Sequence, residues 1–67
     1  MKIRIDKCTS PGAWYESRVG QVLPVERHEI NRHESQGIPE DVYWCREGGA
    51  YNPINYVRAS DATVVDA

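Results

Sequence analysis

Polar and apolar positions alternate with a period of two along Lys2-Ile3-Arg4-Ile5-Asp6-Lys7, which turns Ile3 and Ile5 to a buried face and leaves the charges in water. This predicts a first strand over residues 2–7. Thr9-Ser10-Pro11-Gly12 follows with turn chemistry, so the chain should leave the sheet as a loop that carries Trp14 and Tyr15. Two adjacent loop residues cannot both point inward, and at least one of these rings is expected at the surface. A second extended run, Val19-Gly20-Gln21-Val22-Leu23-Pro24-Val25, must bend or lie at an edge at Pro24, which has no N–H to give a ladder.

The densest signal is Tyr43-Trp44-Cys45-Arg46-Glu47-Gly48-Gly49-Ala50-Tyr51-Asn52-Pro53-Ile54-Asn55-Tyr56-Val57, two aromatic runs around a glycine turn. It predicts a third strand over 42–46 and a fourth over 51–57, with Pro53 marking an irregularity. Ala59-Ser60-Asp61 reads as a short helical turn, and Thr63-Val64-Val65 as a fifth strand that pairs back near the N-terminus. Between the second and third strands, residues 26–41 are polar, and Ile30 and Ile38 do not recur at helical spacing. A long, exposed and mobile loop is expected there, with a frayed strand extension or a single helical turn as the most structure it would hold.

Five short strands and one helical turn make an all-β chain, and closure into a small barrel would remove the open edges of a five-stranded sheet. A chain of 67 residues forms a single domain over 1–67. At this size only about 60% of the unfolded surface can be buried. There is no Phe and one Met, so Trp14, Trp44, the four tyrosines and the Ile and Val positions must supply both the core and any binding surface.

Charge narrows the choice of partner. The net charge is −2; residues 1–18 hold Lys2, Arg4, Lys7 and Arg18 against Asp6 and Glu16, and the remainder holds four arginines against eight acids. Phosphate backbones are bound by clustered Lys and Arg that displace counterions, so nucleic acid is a disfavoured partner. The opening residues lack the apolar run of a signal peptide, and no stretch nears the ~20 apolar residues of a membrane span. A soluble, cytoplasmic protein with no membrane partner is expected, and in that reducing compartment Cys8 and Cys45 should be free thiols.

No catalytic motif emerges. His28, His33, Cys8 and Cys45 are zinc-ligand types, but the cysteines lie far apart and the histidines sit in a polar stretch where both should be solvated, so no metal or other cofactor is expected. Cys45, in mid-strand beside Trp44, lacks the electropositive opening that activates a thiol. Glu40 and Asp41 are neighbours on an extended chain and face opposite ways, which rules out joint acid–base work. Gly48-Gly49 has no helix and lysine after it to cradle a phosphate. A non-enzymatic protein is the expectation.

The segment Tyr43-Trp44, Gly48-Gly49 and Pro53-Ile54-Asn55-Tyr56-Val57 resembles the second half of an SH3 domain, where a tryptophan-bearing strand, a glycine turn and a Pro-x-Asn-Tyr-Val element precede the final strand. It departs from that pattern in that Ile54 stands between Pro53 and Asn55 and the family's acidic-aromatic N-terminal signature is absent. The resemblance implies an SH3-like five-stranded barrel in which the first loop, the third strand and the helical turn converge on one edge. That edge would gather Trp14, Tyr15, Trp44, Pro53 and Tyr56, with Arg46 as an anchor, and these residue types dominate binding hot spots, while Trp44 and Tyr56 read equally well as rings that fill the barrel. In size and style the chain is also similar to small accessory proteins of tailed bacteriophages, which implies the host cytoplasm and modulation of a host factor. The expected function is an interaction module for a protein or peptide. The alternatives are a nucleic-acid-binding barrel using Lys2, Arg4, Lys7 and Arg18 with Trp14 or Tyr15 stacked on bases, and a small-ligand binder using the same edge with Arg46 or Arg58 on an anion.

Overall fold

The period-two pattern at the start of the chain acts as expected, since Ile3 and Ile5 are buried while Lys2 and Arg4 are exposed on strand β1 (Lys2–Ile5). The computed structural model describes residues 1–48 and 56–67. Five further strands follow: β2 (Val22–Pro24), β3 (Arg27–Ser35), β4 (Ile38–Trp44), β5 (Val57–Arg58) and β6 (Ala62–Asp66). They form two three-stranded antiparallel sheets, ordered β2-β1-β6 and β3-β4-β5. Short 3₁₀ turns lie at Trp14–Arg18, Arg46–Gly48 and Ala59–Asp61. The chain is all-β, and no helix among the described residues is long and apolar enough to cross a membrane.

Six strands in two sheets replace the five strands expected, and no sheet closes on itself among the described residues. The added strand corrects the reading of residues 26–41, which form most of the β3–β4 hairpin and not a long loop. Two local features make a strand of this polar stretch. Gln36 and Gly37, at φ 54° and 77°, supply the paired positive φ values of a two-residue type I′ turn, with Ser35 opposite Ile38. Asn31 also has a positive φ, 54°, where the register slips between Glu29 and His33. That bulge breaks the alternation by which a strand is read from sequence.

β2 and β3 are almost one run, interrupted only at Val25 and Glu26. The Val25 N–H donates to Met1 O at 2.9 Å and the Glu26 N–H to Trp44 O at 2.8 Å, so consecutive amides bond to opposite sheets. Pro24 lies, as its chemistry demands, on an edge strand. The core fills the space between the sheets: Ile3, Ile5 and Leu23 from one, Tyr43, Cys45 and Val57 from the other, and Tyr15 from the first 3₁₀ turn. The turn at Ala59–Asp61 and the return of β6 to β1 match the sequence reading. Of the fourth strand expected over 51–57, residues 51–55 lie outside the described residues.

Candidate functional site

Alternation along β4 sends Tyr43 and, one residue past the strand, Cys45 into the inter-sheet core, and turns Val42 and Trp44 to the other face of the sheet. There Trp44 is only 4% exposed. Its indole N–H donates to Glu29 Oε1 at 2.8 Å, and its ring meets Tyr56 edge-on with centroids 5.4 Å apart. Tyr56, the residue before β5, reaches across to β3, where its hydroxyl lies 2.7 Å from His33 Nδ1. Arg27 and Arg32 approach the same Glu29 carboxylate at 3.3 and 3.4 Å.

A second ring pair is built in the same way near the other sheet. Tyr15, at 1% exposure, is part of the core, and half-buried Trp14 meets it edge-on at 5.7 Å. The Tyr15 hydroxyl donates to Asp61 Oδ2 at 2.6 Å. Burial, and next the Asp61 carboxylate, push the Tyr15 phenol well above the usual tyrosine range. Each pair thus has a buried ring tethered to a carboxylate and an outer ring that keeps part of its surface. Trp14 and Tyr56 are the outer rings; Tyr15 and Trp44, named with them from sequence, offer almost no surface.

Asp61 is fully buried and fully used. Its carboxylate accepts from the Thr9 N–H at 3.1 Å and the Thr9 hydroxyl at 3.0 Å as well as from Tyr15, and its carbonyl accepts from the Asp6 and Lys7 amides. Arg58 stands behind Thr9, donating Nη1 to Thr9 Oγ1 at 2.8 Å and both Nε and Nη2 to Glu40 Oε2. These pairings commit the Arg58 guanidinium to the protein, which leaves it poorly placed for an external anion. Arg46 is highly exposed and pairs with Glu26 at 2.9 Å. Pro53 lies outside the described residues.

The histidines are not simply solvated. His28 Nε2 lies 2.8 Å from Asp41 Oδ2 and its ring stacks, tilted, on Tyr43, while His33 holds Tyr56. His28 is opposite Tyr43 and His33 opposite Glu40, so the two face opposite sides of the sheet and cannot share an ion. Glu40 and Asp41 also face apart, each bonded, Glu40 to Arg58 and Ser60 and Asp41 to His28 and Asn31. Among the described residues no group of three His, Cys, Asp or Glu side chains is arranged to hold a metal ion. Cys8 and Cys45 are free, and burial, with Glu47 and Glu26 adding to it, pushes the Cys45 thiol up to about 11. In the basic strip of β1, Arg4 is already paired with Asp6 at 2.8 Å.

Sequence reasoning missed Glu29, His33 and Asp61 as partners of the aromatic rings. Asp61 is 46 residues from Tyr15 and 52 from Thr9, and no local pattern encodes such a contact. No protein-family model matches the chain, and no curated protein or solved structure matches it either.

Proposed function

We propose that this chain is a non-enzymatic interaction module of SH3-like build that takes a protein or peptide partner on its outer aromatic rings, Trp14 and Tyr56. Arg46, highly exposed, would be a further contact. The observation that carries the reading is the paired-ring construction: each outer ring keeps exposed surface while standing on a buried ring fixed to a carboxylate. Large rings held in one orientation lose little entropy on binding, which is why aromatic residues dominate hot spots. The SH3-like build draws support from the β2–β3 run, whose central amides bond to one sheet and then the other, and from the 3₁₀ turn that precedes β6. The likeness in size and style to phage accessory proteins makes a cytoplasmic host protein the first partner class to try.

Selection of peptides from a displayed library against the immobilised protein, followed by titration of the best binder, tests the proposal. Binding should weaken at least tenfold, about 1.4 kcal/mol, in the Trp14→Ala/Tyr56→Ala double variant. Equal affinity for the wild type and the double variant would sink it. Titration with a single-stranded oligonucleotide separates the alternative, because binding through Lys2, Arg4, Lys7 and Arg18 would fall steeply with salt.

A further inference from the structure

Building on the reading of Trp14 as a contact residue, we infer that Asp61 is its positioning residue, fixing the ring through Tyr15 and through the loop that leads to it. The connection from β1 to β2 contains no strand; its internal backbone bonds outside the 3₁₀ turn are local, Ala13 N–H to Ser10 O, Glu16 N–H to Ala13 O and Gln21 N–H to Arg18 O, and only its far end, at Gly20 and Gln21, bonds back to Ile5. Such a segment has little to define its place by itself. Five hydrogen bonds tie it to one distant residue. The Asp6 and Lys7 amides reach the Asp61 carbonyl at 2.8 and 3.3 Å, and the Thr9 amide, Thr9 hydroxyl and Tyr15 hydroxyl reach its carboxylate at 3.1, 3.0 and 2.6 Å.

The chemistry of the donors explains why the residue is an aspartate. A carboxylate only accepts, and here three donors converge on its two oxygens in a site with no exposure to water. Any uncharged residue without those acceptors leaves the buried Tyr15 hydroxyl, and the Thr9 N–H and hydroxyl beside it, without this partner. The Thr9 hydroxyl is itself oriented, because Arg58 Nη1 donates to it and Arg58 is gripped by Glu40 of β4. The path from Asp61 to Trp14 is then short. Tyr15 cannot swing without breaking its hydroxyl bond, and Trp14 rests edge-on against the Tyr15 ring at an interplanar angle of 73°.

Fluorine NMR of protein labelled with 5-fluorotryptophan tests this without any partner, since Trp14 and Trp44 give one signal each, assigned by Trp14→Phe and Trp44→Phe. In Asp61→Ala and in Tyr15→Phe the Trp14 signal should shift or broaden while the Trp44 signal stays in place. Tyr15→Phe keeps the core ring and removes only the hydroxyl, so it decides the matter if Asp61→Ala does not fold. An unmoved Trp14 signal in Tyr15→Phe, or two signals that move together, would overturn the assignment, because a merely structural role affects both rings. The interaction reading fails separately: a displaced Trp14 signal with undiminished affinity for the selected peptide would leave Asp61 as positioning residue and remove Trp14 from the contact.

Discussion

The indole N–H of Trp44 donates to Glu29 Oε1 at 2.8 Å, so the one polar atom of a nearly buried ring is satisfied on the face of β4 turned away from the inter-sheet core. The bond gives β3 a reason to lie over Trp44 despite its polar sequence. It also gives Trp44 a different energetic weight from Trp14.

Trp44→Ala should cost about 3–5 kcal/mol, close to the whole stability of a small domain. Trp14→Ala, at a half-buried site, should cost about 1 kcal/mol. Urea titrations of the two variants provide the comparison. A folded Trp44→Ala beside an unfolded Trp14→Ala would mean that the supporting ring and the outer ring are assigned in reverse.

Acid should destabilise the fold through three carboxylates. The Asn31 amide and then His28 hold Asp41 below its usual range; the Thr63 hydroxyl and then Arg4 do so for Asp6. Burial works to raise Glu40, but the Ser60 N–H and Arg58 outweigh it and leave it lowered. Groups that hold protons less tightly when folded contribute stability that is complete above their unfolded pKa of about 4 and is lost as pH falls through the lower folded values. The urea midpoint should therefore be level from pH 7 to about 5 and drop towards pH 2, and Glu40→Gln should flatten the profile. A wild-type midpoint unchanged down to pH 2 would contradict this.

The two thiols should differ in reactivity. Cys45 is buried and its thiol is pushed up to about 11, whereas Cys8 is half-buried. Iodoacetamide at pH 8 should add one group to the native protein, at Cys8, and two in denaturant, as read by intact mass. Two groups added at equal rates without denaturant would show that Cys45 is open to solvent.

The β3–β4 turn makes a fourth test. Gly37 has φ 77° and open space around it, so a methyl group there meets backbone strain and no clash. Gly37→Ala should cost about 1–2 kcal/mol, and Gln36→Asn should add a few tenths of a kcal/mol. Amide exchange at the paired residues of β3 should be slow compared with an open loop. Fast exchange throughout residues 27–44, with no effect of Gly37→Ala, would restore the loop reading.

Where one face of a strand is buried, the sequence carried the answer. Ile3 and Ile5 declare β1 because solvent and core impose period two; Thr63-Val64-Val65 marks β6 through its β-branched residues, although Val64 and Val65 stay exposed. β3 was hidden because its side chains are satisfied by neighbours and not by burial: Glu29 by Trp44, His28 by Asp41, His33 by Tyr56. A polar cross-strand pair looks in sequence like a solvated loop. The aromatic residues were recognisable as a set, but which ring of each pair is sunk depends on Asp61 and Glu29, carboxylates remote from them along the chain.

The pairing of β1 with β6 sets Lys2 directly opposite Asp66, so the two ends of the chain lie side by side. The loop this contact closes is about 60 residues long, and in the chain-entropy picture closing it costs on the order of 4 kcal/mol. The β1–β6 pairing is therefore the last contact of the molecule that local encounters can assemble, and the β3–β4 hairpin the first. A backbone circularised through a short linker between Ala67 and Met1 would start folding with that encounter already made. New chain ends could then be opened at Gln36-Gly37 without altering the order of strands in either sheet.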